Sequence, residues 1–290
     1  MQGRKLLPVC LLPVSLLLVS CVGSSPFSTA RLDGNWHLTG QNFFATNALP
    51  SSSQGAFLAM AIGVSGNTVY ASGDSAVTCS NISSGMGGTF WATGLITSNG
   101  SFTLSNSSVP QDTIQYTIKG TAPAAGASAW QGSYTLVNSS SSVNCTFNQS
   151  GSFTAAAYPL LNGTYTGALD NSSTIAGAEN IQLVVKVAQG EPTFTTAGTQ
   201  DTAEFYIPLN GSITVSGTSC FTSGTMASGV GSRISGDNFY MTFTMNDGST
   251  LTLAGLYGDE TETTLKVTAL PFASGNSCYT GGGGTLTLQQ

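Results

Sequence analysis

His37 is the only histidine in the chain, so any Ser-His-Asp or Cys-His arrangement for nucleophilic catalysis must be built around it. It follows Trp36 directly, and on a strand two successive side chains point to opposite faces. No Gly-x-Ser-x-Gly elbow, His-Glu-x-x-His pair or phosphate-binding glycine loop accompanies it, so His37 reads as a solvated or hydrogen-bonded structural residue. The other groups suited to chemistry are carboxylates. Ten of the thirteen lie from Asp170 onward, and Asp259-Glu260-Thr261-Glu262 is the densest group. Paired carboxylates can hydrolyse glycosidic bonds, and oxygen-rich loops can hold calcium. The run lacks the Asp-x-Asp-x-Asp-Gly spacing of a calcium loop and follows Leu256-Tyr257-Gly258, so it reads as a solvated hairpin tip. Asp112 and Asp247 read as residues that start turns ahead of strands. No cofactor motif and no Cys-x-x-Cys metal spacing occurs, and a non-enzymatic protein is the expectation.

One further residue type invites covalent chemistry, a cysteine at the end of an apolar stretch. Arg4-Lys5 precede an apolar run from Leu6 to Val19, interrupted by Pro8 and Pro13. That order of charge, short apolar core and small residues is a secretion signal, too short for the roughly 18 apolar residues of a spanning helix. Its last four residues, Leu18-Val19-Ser20-Cys21, resemble the lipobox of bacterial lipoproteins. The resemblance implies that residues 1–20 are a signal peptide. It also implies that Cys21 receives a diacylglycerol thioether, becomes the new N-terminus and is acylated again, with palmitate-type chains. Val22 and Gly23 lack the aspartate that retains such lipoproteins at the inner membrane, so outer-membrane placement is expected. Residues 21–31 would form a lipidated tether of roughly 17 Å average span.

Only 7% of residues are charged, against a usual value of about 25%. Polarity comes from Ser, Thr, Asn, Gln and 36 Gly. The aromatic content of 9% and a period-two apolar pattern argue against disorder. With Arg4 and Lys5 gone, five basic residues face thirteen acidic ones, a net charge near −8. A surface of that sign repels phosphate backbones, so nucleic-acid binding is not expected. Membrane attachment would rest on the acyl chains alone.

The chain repeats itself. Leu32-Asp33-Gly34-Asn35-Trp36 returns as Leu161-Asn162-Gly163-Thr164-Tyr165 at an offset of 129, and Asp112–Gly120 returns as Asp247–Gly255 at 135. Cys145, followed by Gly151-Ser-Phe-Thr, answers Cys278, followed by Gly284-Thr-Leu-Thr. The order is kept throughout, which indicates duplication, with an insertion in the second copy near Glu191 to Glu204. Two β-domains are expected, 32–157 and 158–290, joined with almost no linker and therefore packed together. In an exported chain the four remaining cysteines read as disulfides. A fold unit copied whole carries its own crosslink, which pairs Cys79 with Cys145 and Cys220 with Cys278.

Segments such as Ile114-Gln-Tyr116-Thr-Ile118 and Phe239-Tyr-Met241-Thr-Phe243 alternate apolar with mostly polar residues, the mark of half-buried antiparallel strands. Turn signals fall between them at Ser65-Gly66-Asn67, Ser98-Asn99-Gly100, Asn210-Gly211, Ser235-Gly236-Asp237 and Asn246-Asp247-Gly248. Each half reads as a meander of about eight strands, a closed barrel or a sandwich. Gly34-Asn35-Trp36 is similar to the Gly-x-Trp opening of lipocalins, and Leu-x-Gly-x-Trp resembles the start of avidin-like barrels. The resemblance implies a barrel with Trp36 closing one end of a cavity, and barrel is favoured over sandwich. Partners would then be the membrane, through the acyl chains, and a small apolar ligand, a glycan or an envelope protein. The alternatives are a structural envelope coat and, more remotely, a hydrolase using the Asp259–Glu262 carboxylates.

Overall fold

The computed structural model describes residues 32–45, 54–78, 86–106, 114–124, 126–138, 147–171, 181–195, 204–257, 263–272 and 281–289. Its architecture is all-β, two antiparallel barrels in tandem. The first is a closed eight-stranded meander of β1 (Gly34–Thr39), β2 (Gly55–Ser65), β3 (Thr68–Thr78), β4 (Met86–Ile96), β5 (Ser101–Ser105), β6 (Ile114–Thr121), β7 (Ala129–Asn138) and β8 (Phe147–Ala157). Each strand pairs with its sequence neighbour, and β8 returns to β1 with Leu38 opposite Ala155. Closure leaves no unpaired edge, the arrangement that spares a β-protein from edge-to-edge aggregation.

The second ring runs through β9 (Gly163–Asn171), β10 (Gln182–Gln189), β12 (Glu204–Ser216), β15 (Asn238–Met245), β16 (Thr250–Tyr257), β17 (Thr264–Phe272) and β18 (Gly282–Leu288). Between β12 and β15 the wall is made of two pieces, β13 (Ser223–Met226) and β14 (Arg233–Ser235), with a single 3-10 turn at Gly229–Gly231 between them. The ring shuts through β10 and β12, Val185 facing Ile213, and through β18 and β9, Leu286 facing Gly167. Counting the divided wall once, this barrel also has eight staves. A short extra strand, β11 (Thr193–Thr195), pairs with the start of β12.

The duplication is visible in three dimensions. Trp36 on β1 and Tyr165 on β9 are both buried in their cores. Ahead of them, Asp33 Oδ1 accepts the Val64 amide at 2.8 Å, and Asn162 Oδ1 accepts the Gln189 amide at 2.8 Å. The same side-chain position thus ties each first strand to the far end of its second. The barrels differ after that strand: Gly66-Asn67 make a two-residue turn from β2 to β3, whereas β10 reaches β12 through the longer segment that carries β11. This is where the offset between the copies grows.

Inward residues fill the first barrel. Trp130 meets Trp36, Phe102 and Phe153 edge-on at centroid distances of 6.1, 5.3 and 5.1 Å, and Trp36 Nε1 donates to Leu32 O at 3.0 Å. Phe43 and Tyr134, 4.7 Å from each other, lie beside Phe153 at 6.3 and 6.5 Å. An eight-stranded barrel is just wide enough for side chains to fill, and here bulky aromatic groups fill it. Trp36 is therefore packed against neighbouring rings.

One expected turn is a strand. Asn210-Gly211 lies inside β12, at the point where β12 changes partner from β14 to β13. Glycine is needed there for close approach, since a Cβ at Gly211 would stand 1.9 Å from Lys186 O. Likewise Gly282 to Gly284 belong to β18, and a Cβ at Gly284 would come within 2.3 Å of Ala168 O.

Candidate functional site: the seam between the barrels

Alternation on β2 and β3 should leave one face in water, yet both strands are buried on both faces along most of their length. The inward set, including Leu58, Met60, Ile62, Val69 and Val77, belongs to the first core. The outward set includes Phe57, Ala59, Ala61, Ser72, Asp74 and Ala76, and none of these is more than 5% exposed. What covers part of this outer face is the second barrel. The Phe205 ring of β12 lies over Gly63, where a Cβ would come within 2.2 Å of it, and Ala61 joins the second barrel's apolar cluster.

The β14–β15 turn supplies the polar half of the seam. Ser235 and Asn238 pair across it, leaving Gly236 and Asp237 as a two-residue loop in which Gly236 takes φ +67. Glycine answers two needs at once. It adopts the left-handed conformation, and it lacks a Cβ that would otherwise sit 2.6 Å from Ala59 O and 3.0 Å from Asp74 N. The loop thus lies flat on β2 and β3. Asn35 Nδ2 donates to Gly236 O at 2.6 Å, Ser72 Oγ donates to Phe205 O at 2.7 Å, and the Ser72 and Ser235 hydroxyls are 2.9 Å apart.

Beside these bonds two carboxyl groups, one from each barrel, meet within hydrogen-bonding reach of each other. Asp74 and Asp237 are 5% and 6% exposed. As carboxylates, Asp74 Oδ2 and Asp237 Oδ1 find no donor among the described groups. Burial pushes Asp237 up to about 8, with the Asp74 charge and their shared hydrogen bond adding to the effect. Burial also raises Asp74 to about 6, against hydrogen bonds from Asn238 and from Asp237 that lower it. Burial and the neighbouring charge therefore favour one proton shared by the pair over two separate charges.

His37 lies in the same cross-strand row, opposite Ala59, which is itself opposite Asp74. It does point away from Trp36's side of the sheet, but it is not solvated. It is 8% exposed, with its ring stacked on Tyr158 at 5.8 Å and tilted on Phe57 at 5.6 Å.

On the outer wall of the first barrel, away from the seam, Thr39, Gln41, Asn42, Gln131, Ser150, Ser152 and Thr154 line a groove of about 420 Å³ over β1, β7 and β8. A second hollow of about 320 Å³ adjoins it over β6 to β8 and adds Thr117, Lys119, Ser133 and Thr135. Tyr134, accepting a hydrogen bond from Asn42 Nδ2 at 2.9 Å, floors both.

The residues marked from sequence fall as follows. Cys220 is half-buried just after β12 and is disulfide-bonded. Cys21, Cys79, Cys145 and Cys278 all lie outside the described residues, as do Asp112 and the Asp259–Glu262 run. Asp247 does start a turn, its Oδ1 accepting from Ser249 N and Oγ at 2.9 and 2.6 Å. Among the described residues no group of three or more His, Cys, Asp or Glu is placed to hold a metal ion, and no helix is long and apolar enough to cross a membrane. The Asp74–Asp237 pair was missed, although a signal for it exists: Ser-Gly-Asp occurs at 72–74 and again at 235–237.

No known protein family, curated protein or solved structure matches the chain.

Proposed function

We propose that this is a non-enzymatic lipoprotein, anchored through Cys21, that binds a neutral envelope glycan on the outer wall of its first barrel. The observation that carries this reading is the filled interior: Trp36, Phe102, Trp130 and Phe153 occupy the space that an enclosed apolar ligand would need. Recognition then falls to the exterior. There the 420 Å³ groove offers side-chain amides and hydroxyls, both donors and acceptors, which suit the hydroxyls of an uncharged sugar chain. Among the described residues Lys119 is the one cation lining these hollows, so a strongly anionic ligand has little to hold it. The lipobox-like Cys21 and the ten-residue stretch that follows would keep the barrels close to a membrane, and outer-membrane placement follows from Val22 and Gly23.

The test is binding of the lipid-free full chain to neutral polysaccharide prepared from the producing cell's envelope. Gln131 and Ser152 are exposed, so Gln131→Ala and Ser152→Ala should leave the fold intact while weakening binding. Retention unchanged by both substitutions, or absent in the parent protein, removes the glycan reading and leaves a structural envelope coat. The coat reading draws on the same low charge and edge-free barrels.

A further inference from the structure

We infer that Asp74 and Asp237 form a proton-shared latch: a single proton between the two carboxyls fastens one barrel to the other, and its loss drives them apart. The inference stands first on geometry. The two side chains come from different barrels, both are buried, and each presents an oxygen that finds no donor. Two ionised carboxylates cannot remain in such contact away from water, and one proton converts the repulsion into a charge-assisted hydrogen bond. The flanking contacts, Asn35 to Gly236 and Ser72 to Ser235, are between uncharged groups, so the carboxyl pair is the part of this docking that responds to pH.

The surrounding elements offer little compensation. β1 brings His37, the residue before the strand is Asp33, β2 brings no titratable group, and β3 brings Tyr70 besides Asp74. From the second barrel β12 brings Glu204 and Tyr206, β14 brings Arg233, and β15 brings Asn238 and Tyr240. Arg233 lies over the Tyr240 ring at 4.8 Å. The influences that set the pair are burial, each other and Asn238, with no cation among them.

Both carboxyls bind protons more tightly when docked than in water. The docked state is therefore favoured at acid pH and loses ground as pH rises from the ordinary carboxyl range, 3.8, through about 6 and about 8. Where one proton is released on undocking the equilibrium shifts by about tenfold per pH unit.

The experiment uses the full chain with spin labels at the exposed positions Thr103 and Thr287, one on each barrel, and follows the inter-barrel distance and the thermal midpoint from about pH 4 to about pH 9. The parent protein should show one narrow distance in acid and a broadened one, with a lower midpoint, in alkali. Asp237→Asn supplies a permanent donor to Asp74 and should keep the narrow distance throughout. Asp74→Asn is the second variant should the first not fold. His37→Gln removes the imidazole's own titration and should leave the parent profile unchanged. Identical profiles for the parent and both Asn variants overturn the latch. So does a parent protein at about pH 9 whose narrow distance returns with calcium chloride, since the pair would then be a cation site.

Discussion

The hydroxyls of Ser72 and Ser235 lie 2.9 Å apart, so that two copies of one tripeptide, Ser-Gly-Asp, meet side by side across the seam between the barrels. Serine faces serine and aspartate faces aspartate. The two copies are not equivalents in the duplication. One lies within β3, the third strand of its barrel, and the other spans the β14–β15 turn. Their meeting is a feature of docking, and it lies on the outer face of β2 and β3 that the alternation of an isolated barrel would leave in water.

Close packing at the seam gives the first prediction. At Gly63 an added Cβ would reach within 2.2 Å of the Phe205 ring, so Gly63→Ala must displace Phe205 or open the seam. A loss of about 1–3 kcal/mol is expected, the range for overpacking a closed site. Chemical denaturation of the full chain measures it. Gly66→Ala is a poor control despite its open surroundings, because Gly66 holds φ +62; an exposed Thr103→Ala serves instead.

Core filling gives the second. Trp130 sits at the centre of the aromatic packing in the first barrel, touching Trp36, Phe102 and Phe153. Trp130→Ala should cost about 3–5 kcal/mol, as for other buried aromatic deletions. A cost under about 1 kcal/mol would mean that the ring lines a hollow instead of filling a core.

Asp33 provides the third. Burial, opposed by the Val64 amide and assisted by the Glu191 charge, raises it to about 6. A raised carboxyl contributes stability that is full below its ordinary value of 3.8 and is lost as pH climbs through about 6. The second barrel already carries Asn162 at this position, with the equivalent hydrogen bond. Asp33→Asn should keep an oxygen for the Val64 amide while removing the charge. Thermal denaturation should then find the variant more stable above pH 6 by on the order of 1 kcal/mol, a figure reduced for the residue's partial exposure, and no more stable near pH 4.

Disulfide mapping is the fourth. Cys220 follows the third stave of its barrel, and Cys79 follows β3, the third strand of the other. Cys145 and Cys278 precede the last strands, β8 and β18. Non-reducing peptide maps should join Cys220 to Cys278 and Cys79 to Cys145. A Cys79–Cys220 peptide would contradict one bridge per barrel.

The sequence carried the strands well because their side chains obey one period: Phe239, Met241 and Phe243 face a core while Tyr240, Thr242 and Thr244 do not. The copy boundaries were legible because Leu32 and Leu161 begin the same motif. Asn210-Gly211 misled because glycine there answers a close approach to Lys186 O, which local sequence does not distinguish from a tight turn. The seam was illegible for a different reason. Ala59 and Ala61 lie on an outer face that the second barrel covers in part, and the short alternation rule treats that face as solvent. Asp74 and Asp237, 163 positions apart, carry no local sign of each other beyond the shared tripeptide.

Native mass spectrometry of the intact protein, purified from its own cells in mild detergent, tests the proposed function most directly. The expected mass is that of a chain beginning at Cys21 and bearing three acyl chains, with no apolar small molecule released on activation. A chain that retains residues 1–20 or leaves Cys21 unmodified would contradict the anchor. A stoichiometric apolar ligand released from the folded protein would contradict the filled first barrel on which the exterior-binding proposal depends.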